Sequence, residues 1–169
     1  MDRLWAPWRM QYIMSTVTPS ADSDCVFCKM LGERRDAENL VLHRGRHAFL
    51  VMNLFPYNSG HLMAVPVRHT AEFASLSAAE HLELMELIAL GQAALGRCYG
   101  PHGYNVGMNI GRAAGAGIVD HLHYHIVPRW NGDVNFMTAV ATTKVMSESL
   151  PETWRRLTES ISELRDGKS

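Results

Sequence analysis

His121-Leu122-His123-Tyr124-His125-Ile126-Val127 carries three imidazoles at every second residue, with an apolar or aromatic side chain in each gap. That period belongs to an extended strand, because successive side chains on a strand point to opposite faces. The spacing predicts a strand over 121–127 that turns His121, His123 and His125 into one cleft and Leu122, Tyr124 and Ile126 to the other side. One histidine on a solvated strand face is ordinary. Three in register forgo the β-propensity that Val or Thr would supply there. Imidazoles so placed suit a metal site, or a nucleophile for phosphorus flanked by groups that handle protons and phosphate charge.

The chain around this stretch has 169 residues and 47% apolar content, enough for one domain that buries about 70% of its unfolded surface. Sixteen basic and seventeen acidic residues give a formal charge of −1. No global field therefore draws it to nucleic acid or an anionic membrane, and any phosphate site must be local. No segment approaches the ~20 apolar residues of a membrane span, and the first thirty residues hold no sustained apolar run behind a basic start, so a cytoplasmic protein is expected. Three cysteines, two of them at Cys25-x-x-Cys28, fit a reducing compartment and half of a zinc site better than a disulfide framework. By nearness in sequence, His43 and His47 are candidates to complete that site.

Residues 1–24, with Trp5 and Trp8 around Pro7 and then a Ser/Thr/Asp-rich run, read as an arm and linker before a single domain over 25–169. A short helix is expected within Lys29 to Arg35, and a hairpin from Leu40–Leu42 and His47–Met52 around Arg44-Gly45-Arg46. Asn53 to Gly60 is a loop by its Pro, Gly and Asn content, and it delivers His61 to an apolar strand. Ser77-Ala78-Ala79-Glu80 has capping-box spacing before the main helix, with Leu84, Leu87, Ile88, Gly91, Leu95 and Cys98 on its apolar stripe and Gly100-Pro101 at its end. Cys98 reads as a small buried hydrophobe. Tyr104 to Ile110 alternates as a strand whose polar face carries Asn105 and Asn109. The small-residue loop Gly111 to Gly117 follows, suited to bringing backbone N–H groups close to an anion. A closing helix is expected over about 148–164. The pattern is α+β, with helices segregated to one side of the sheet.

These residues resemble the histidine triad superfamily of nucleotide hydrolases and transferases. The likeness rests on His-x-His-x-His at 121–125, on Asn58-Ser59-Gly60-His61 leading into Leu62–Val67, on Asn109 with the glycines after it, and on Pro128-Arg129. Leu4-Trp5-Ala6-Pro7-Trp8-Arg9 and Trp130-Asn131-Gly132-Asp133-Val134-Asn135-Phe136 are similar to the bacterial diadenosine tetraphosphate phosphorylase branch. The resemblance implies a five-stranded antiparallel sheet with a main helix and a C-terminal helix, paired into a homodimer or a larger homo-oligomer. It implies His123 as a nucleophile forming a nucleotidyl-histidine intermediate, with His121, His125 and His61 as the other catalytic histidines. His125 would bond phosphoryl or bridging oxygens, and His61 would assist the leaving phosphates. It places Asn53 on the ribose hydroxyls, and Asn109, Gly115, Ala116, Gly117 and His125 about the phosphates. His69 and His121 match the positions that complete a structural zinc site with Cys25 and Cys28. No organic cofactor is expected.

One departure bears on the reaction. Many hydrolase members carry Gln-Ser or Gln-Thr four and three residues before the triad, where this chain has Gly117 and Ile118. The missing hydroxyl argues for an acceptor other than water, such as inorganic phosphate, with Arg112 and Arg129 as candidates to hold it. The favoured expectation is phosphorolysis of diadenosine tetraphosphate to ADP and ATP. The alternatives are a dinucleoside polyphosphate hydrolase, a nucleoside phosphoramidase, and a nucleotide-binding module without turnover. Hexose-1-phosphate uridylyltransferases are more distant, since their third triad position is Gln and here it is His125.

Overall fold

Ala48–Met52 (β2) and Leu62–Pro66 (β3) are buried at every position, which is why both read as unbroken apolar runs: a strand covered on both faces has no wet side to alternate with. The structure, a computed structural model, describes residues 25–133 and 148–167; the expected arm over 1–24 and the tail segment Val134-Asn135-Phe136 lie outside these. With Val41–Arg44 (β1), Gly103–Met108 (β4) and Tyr124–Arg129 (β5) the strands form one antiparallel sheet in the order β1-β2-β3-β5-β4. Val26–Glu33 (α1) precedes the sheet, Ala78–Tyr99 (α2) joins β3 to β4, and Leu150–Arg165 (α3) closes the chain.

The two sheet faces carry different cores. Leu50, Met52, Leu62, Ala64 and Ile126 meet Leu84, Leu87 and Leu95 of α2 and Leu157 and Ile161 of α3. Each fully buried Leu or Ile here contributes about 1.5–3 kcal/mol. Gly91 sits where α2 crosses the sheet: a Cβ there would come within 3.2 Å of Leu62 and 3.3 Å of Ile126. On the opposite face Phe49, Val51, Met63 and Val65 pack with Cys25 and Phe27. Helices are therefore not confined to one side as the pattern implied. The two long ones share a face, and α1, short and anchored by one phenylalanine, covers part of the other.

The local signals at α2 hold in detail. Ser77 Oγ accepts from the Glu80 N–H at 3.3 Å while Glu80 Oε2 accepts from the Ser77 N–H at 2.7 Å, and Gly100 ends the helix at φ 53°. The triad stretch differs from its expectation. The strand begins at Tyr124 rather than His121 and runs on to Arg129. Its partner β3 ends at Pro66, which has no N–H for the ladder and whose carbonyl meets His121 Nε2 at 2.8 Å, and the Leu122 N–H donates to the Thr70 carbonyl at 2.8 Å. Among the described residues no helix is long and apolar enough to cross a membrane.

Candidate active site and metal centre

The three rings share one face of the stretch, as the alternation predicts, with Leu122 beside Ile126 in the core on the other face, but they meet different partners. His121, fully buried, turns to α1 and the segment after β3. Its Nδ1 lies 3.3 Å from Cys25 Sγ and 3.7 Å from Cys28 Sγ, and Cys28 Sγ lies 3.4 Å from His69 Nδ1. The donor atoms of Cys25, Cys28, His69 and His121 all fall within 4.8 Å of one another. Cys25 caps α1 and Cys28 stands in its first turn, so the helix itself brings both thiols to one side. A tetrahedron of two sulfurs and two imidazole nitrogens around zinc has edges of roughly 3.3–3.8 Å, so this donor set fits that ion. The His121 Nε2 meets the Pro66 carbonyl at 2.8 Å, so it carries the ring proton and leaves the Nδ1 lone pair toward the thiols. The rivals by sequence, His43 and His47, take no part in this cluster.

His123 and His125 lie farther along the same face, their ring centroids 4.9 Å apart. His123 Nδ1 meets the His121 carbonyl at 2.9 Å, and since a carbonyl only accepts, the ring proton is on Nδ1 and Nε2 presents a lone pair. Burial pushes the His123 pKa down, against the opposing pull of that carbonyl bond. The ring of Phe27 packs against both His121 and His123, 5.3 Å from each between centroids.

His61, also buried, comes from the start of β3. The Tyr57 N–H donates to its Nδ1 at 3.0 Å, so the ring proton is on Nε2, which faces His125 Nδ1 at 3.0 Å. His61 therefore donates to His125, and the proton of His125 is left on Nε2. The two neighbouring triad rings thus hold opposite tautomers, one offering a lone pair and the other an N–H. Tyr57 packs its ring against both members of the pair, 4.5 Å from His61 and 5.4 Å from His125.

Asn53 belongs to this group: its Nδ2 lies 3.3 Å from His61 Nδ1, and its Oδ1 accepts from the Phe55 N–H at 2.9 Å. Its sequence neighbours Met52 and Leu54 line a cavity of about 270 Å³ whose wall is half apolar, with Val26, Met30 and Leu40, and half charged or polar, with Lys29, Glu33, Arg35, Glu38 and Asn39. Sequence reading missed this groove. Its one signal was the pair Val26 and Met30, four apart on α1 and so on one helix face. Asn109 Nδ2 donates to the Gly115 carbonyl at 3.4 Å within the β4–β5 loop, where Gly115 has φ 86° and Ala116 is buried; Gly117 follows in the same loop. Arg129 is committed elsewhere, to both Asp133 carboxylate oxygens at 2.6 and 2.9 Å and to Asn105 Oδ1 at 2.7 Å. That engagement removes it as a simple phosphate clamp.

The profile of the HIT domain family matches residues 34–132. The chain is 39% identical over 161 residues to a protein of Mycobacterium tuberculosis named AP-4-A phosphorylase, covering 93% of this chain and 83% of that one. It is 31% identical over 107 residues to adenosine 5'-monophosphoramidase of Schizosaccharomyces pombe, covering 63% of this chain and 75% of that one. A zinc-bound histidine triad family protein from Mycobacterium smegmatis shares the fold at a TM-score of 0.70 and 22% identity, over 87% of this chain and 99% of the other.

Proposed function

This chain belongs to the HIT domain family, and from that premise we propose that it is a nucleotidyl transferase that opens dinucleoside polyphosphates, with diadenosine tetraphosphate as substrate and inorganic phosphate as the second acceptor. The observation that carries the reading is the pair of opposite tautomers at His123 and His125. A nucleophile for phosphorus needs an unprotonated nitrogen, and the departing oxygen needs a donor beside it. His123 Nε2 attacks the α-phosphorus and the bond to the bridging oxygen breaks. The N–H of His125 donates to that oxygen as its charge develops, and His61 stands behind it as the next proton source. The products of the step are a nucleotidyl-His123 and ATP. An oxygen of inorganic phosphate then attacks the same phosphorus, releasing ADP and restoring His123. The 39% relative named for phosphorolysis and the lack of a hydroxyl residue at Ile118 favour phosphate over water.

Asn53 is well placed for the ribose hydroxyls, and the half-apolar groove lined by Met52 and Leu54 for the base. At about 270 Å³ it is slightly smaller than the ~300–1,000 Å³ of pockets for drug-sized ligands, so it suits one ring system. The loop with Asn109, Gly115, Ala116 and Gly117 is assigned to the phosphates. Cys25, Cys28, His69 and His121 would hold zinc. With four protein ligands the ion supplies structure, tying α1 to the entrance of β5. His121, both ring nitrogens engaged, is then a ligand rather than an acid or base.

Two features favour a homodimer. β4 is a sheet edge with Val106 exposed and Ile110 exposed just beyond it. Leu82 and Met85 stand exposed on α2, and Tyr104 of β4 reaches that helix by a hydrogen bond to the Gln92 carbonyl. A second copy covers such an edge and its apolar neighbours. The protein is placed in the cytoplasm, where its thiols stay reduced.

The test is product analysis after incubation with diadenosine tetraphosphate, with and without phosphate. ADP formed only with phosphate supports the reading, while AMP in both conditions makes the enzyme a hydrolase. His123→Ala is expected to lose turnover by ~10³-fold or more; undiminished turnover in that variant overturns the mechanism.

A further inference from the structure

We propose that Asp133 is a positioning residue for the His61–His125 pair, a latch that fixes the turn presenting His61 to the end of the strand presenting His125. Its Oδ2 accepts from Asn58 Nδ2 at 3.0 Å, Arg129 Nε at 2.6 Å and the Trp130 N–H at 3.3 Å, and its Oδ1 accepts from Arg129 Nη2 at 2.9 Å. The same Asn58 amide nitrogen donates to the Pro128 carbonyl at 2.9 Å. One buried amide therefore joins the carboxylate and the last turn of β5 to the loop before β3.

From Asn58 the restraint passes to His61 in three residues. The His61 N–H donates to the Asn58 carbonyl at 3.1 Å, and Gly60 closes the turn at φ 73°. A shift of Asn58 is thus carried into the backbone of His61. It also disturbs the approach of the adjacent Tyr57 N–H to His61 Nδ1, the bond that sets the donor tautomer. His125 is referred to the same carboxylate through its own strand, at Pro128 and Arg129. The Arg129 guanidinium, first among several donors, holds the Asp133 carboxyl down at about 2, so the acceptor is ionised across the neutral range. Through Arg129 the latch also reaches Asn105 of β4.

Asp133 lies one residue beyond the stretch matched by the HIT domain. It touches neither ring of the pair, so its effect falls on their alignment rather than on substrate binding. The inference rests on the role proposed above for His61 and His125.

Asp133→Ala, Asn58→Ala and the double variant separate the possibilities. Misplacement on the scale of an ångström costs up to about 100-fold in rate. Each single variant is expected to lose about 10- to 100-fold in kcat with KM within about twofold, and the double variant to lose no more than the worse single one. Asp133→Asn, which keeps an acceptor for Asn58, is expected to recover most of kcat, and Asn58→Ala carries the test if Asp133→Ala does not fold. Independently of turnover, nitrogen NMR of the histidines reads the tautomer of His61: a protonated Nε2 in the wild type, and a mixture of Nε2 and Nδ1 forms in Asp133→Ala. Losses that multiply in the double variant, a kcat within twofold of wild type in either alanine variant, or an unchanged His61 spectrum in those variants each overturn the latch. Should the wild type turn over no dinucleotide, the assigned activity fails while the spectra still decide this point.

Discussion

His121 and His125 are the same side chain four residues apart, and they end in unlike surroundings. At His121 both ring nitrogens are spoken for, one by the Pro66 carbonyl and one among thiols and a second imidazole. At His125 one nitrogen accepts from His61, whose own proton is placed by a backbone N–H. The difference shows that the spacing of histidines does not assign their work. What each ring can do follows from whether its partners are acceptors, donors or metal-binding sulfurs, since those partners choose the tautomer and its freedom to exchange a proton. The metal corner should therefore govern stability, and the His61–His125 side should govern rate.

The largest expected effect tests the second half of that contrast. His125→Asn should lower kcat by about 10²–10⁴-fold, the range for loss of a general acid, with thermal stability close to wild type by calorimetry. A collapse in melting temperature in that variant would erase the distinction. Next, Cys28→Ser should cost about 3 kcal/mol or more in unfolding free energy, and a strong chelator should reproduce the loss in the wild-type protein. Denaturant unfolding with and without zinc reads this, and insensitivity to both would remove the metal corner from its structural role.

The smallest effect calibrates the other two from outside both regions. Ser77→Ala removes the α2 cap and should cost about 1 kcal/mol with kcat unchanged. The same cap has a pH signature. Arg68 first, then the Ser77 N–H, hold the Glu80 carboxyl at about 2 from an ordinary 4.5. A carboxyl depressed on folding contributes stability that is fully present above its unfolded value and lost as pH falls from there through about 2. Unfolding free energy measured between pH 6 and 2 should decline over that window, and less steeply in Glu80→Gln.

Several elements were legible because their signals are local. The α2 cap, the Gly100 stop, the hairpin of β1 and β2 and the apolar β3 each depend on residues within a few positions of one another. The grouping of His61 with the triad followed from the family likeness, and β3 pairs with β5 at Met63 and His125. Helices on one side of the sheet did not hold, because Phe27 gives α1 a second face to cover. The groove beside Asn53 and the Asp133 latch were invisible, since they join separate segments, up to 75 residues apart, through side chains that carry no signal in any one segment.

The sequence by itself determined the sheet-forming runs, the capped helix, the cysteine pair and the presence of three alternating imidazoles, because periodicity and capping act between near neighbours. Only the tertiary structure decided which partners each of the three rings meets along their shared face. At the end of β3 the Pro66 carbonyl accepts from His121 Nε2, and the Leu122 N–H donates to the Thr70 carbonyl. His121 so held stands among the thiols, while His123 packs beside His125. Which hydrogen-bond partner a backbone group finds depends on chain segments far away in sequence, and so does the division of labour among the three rings.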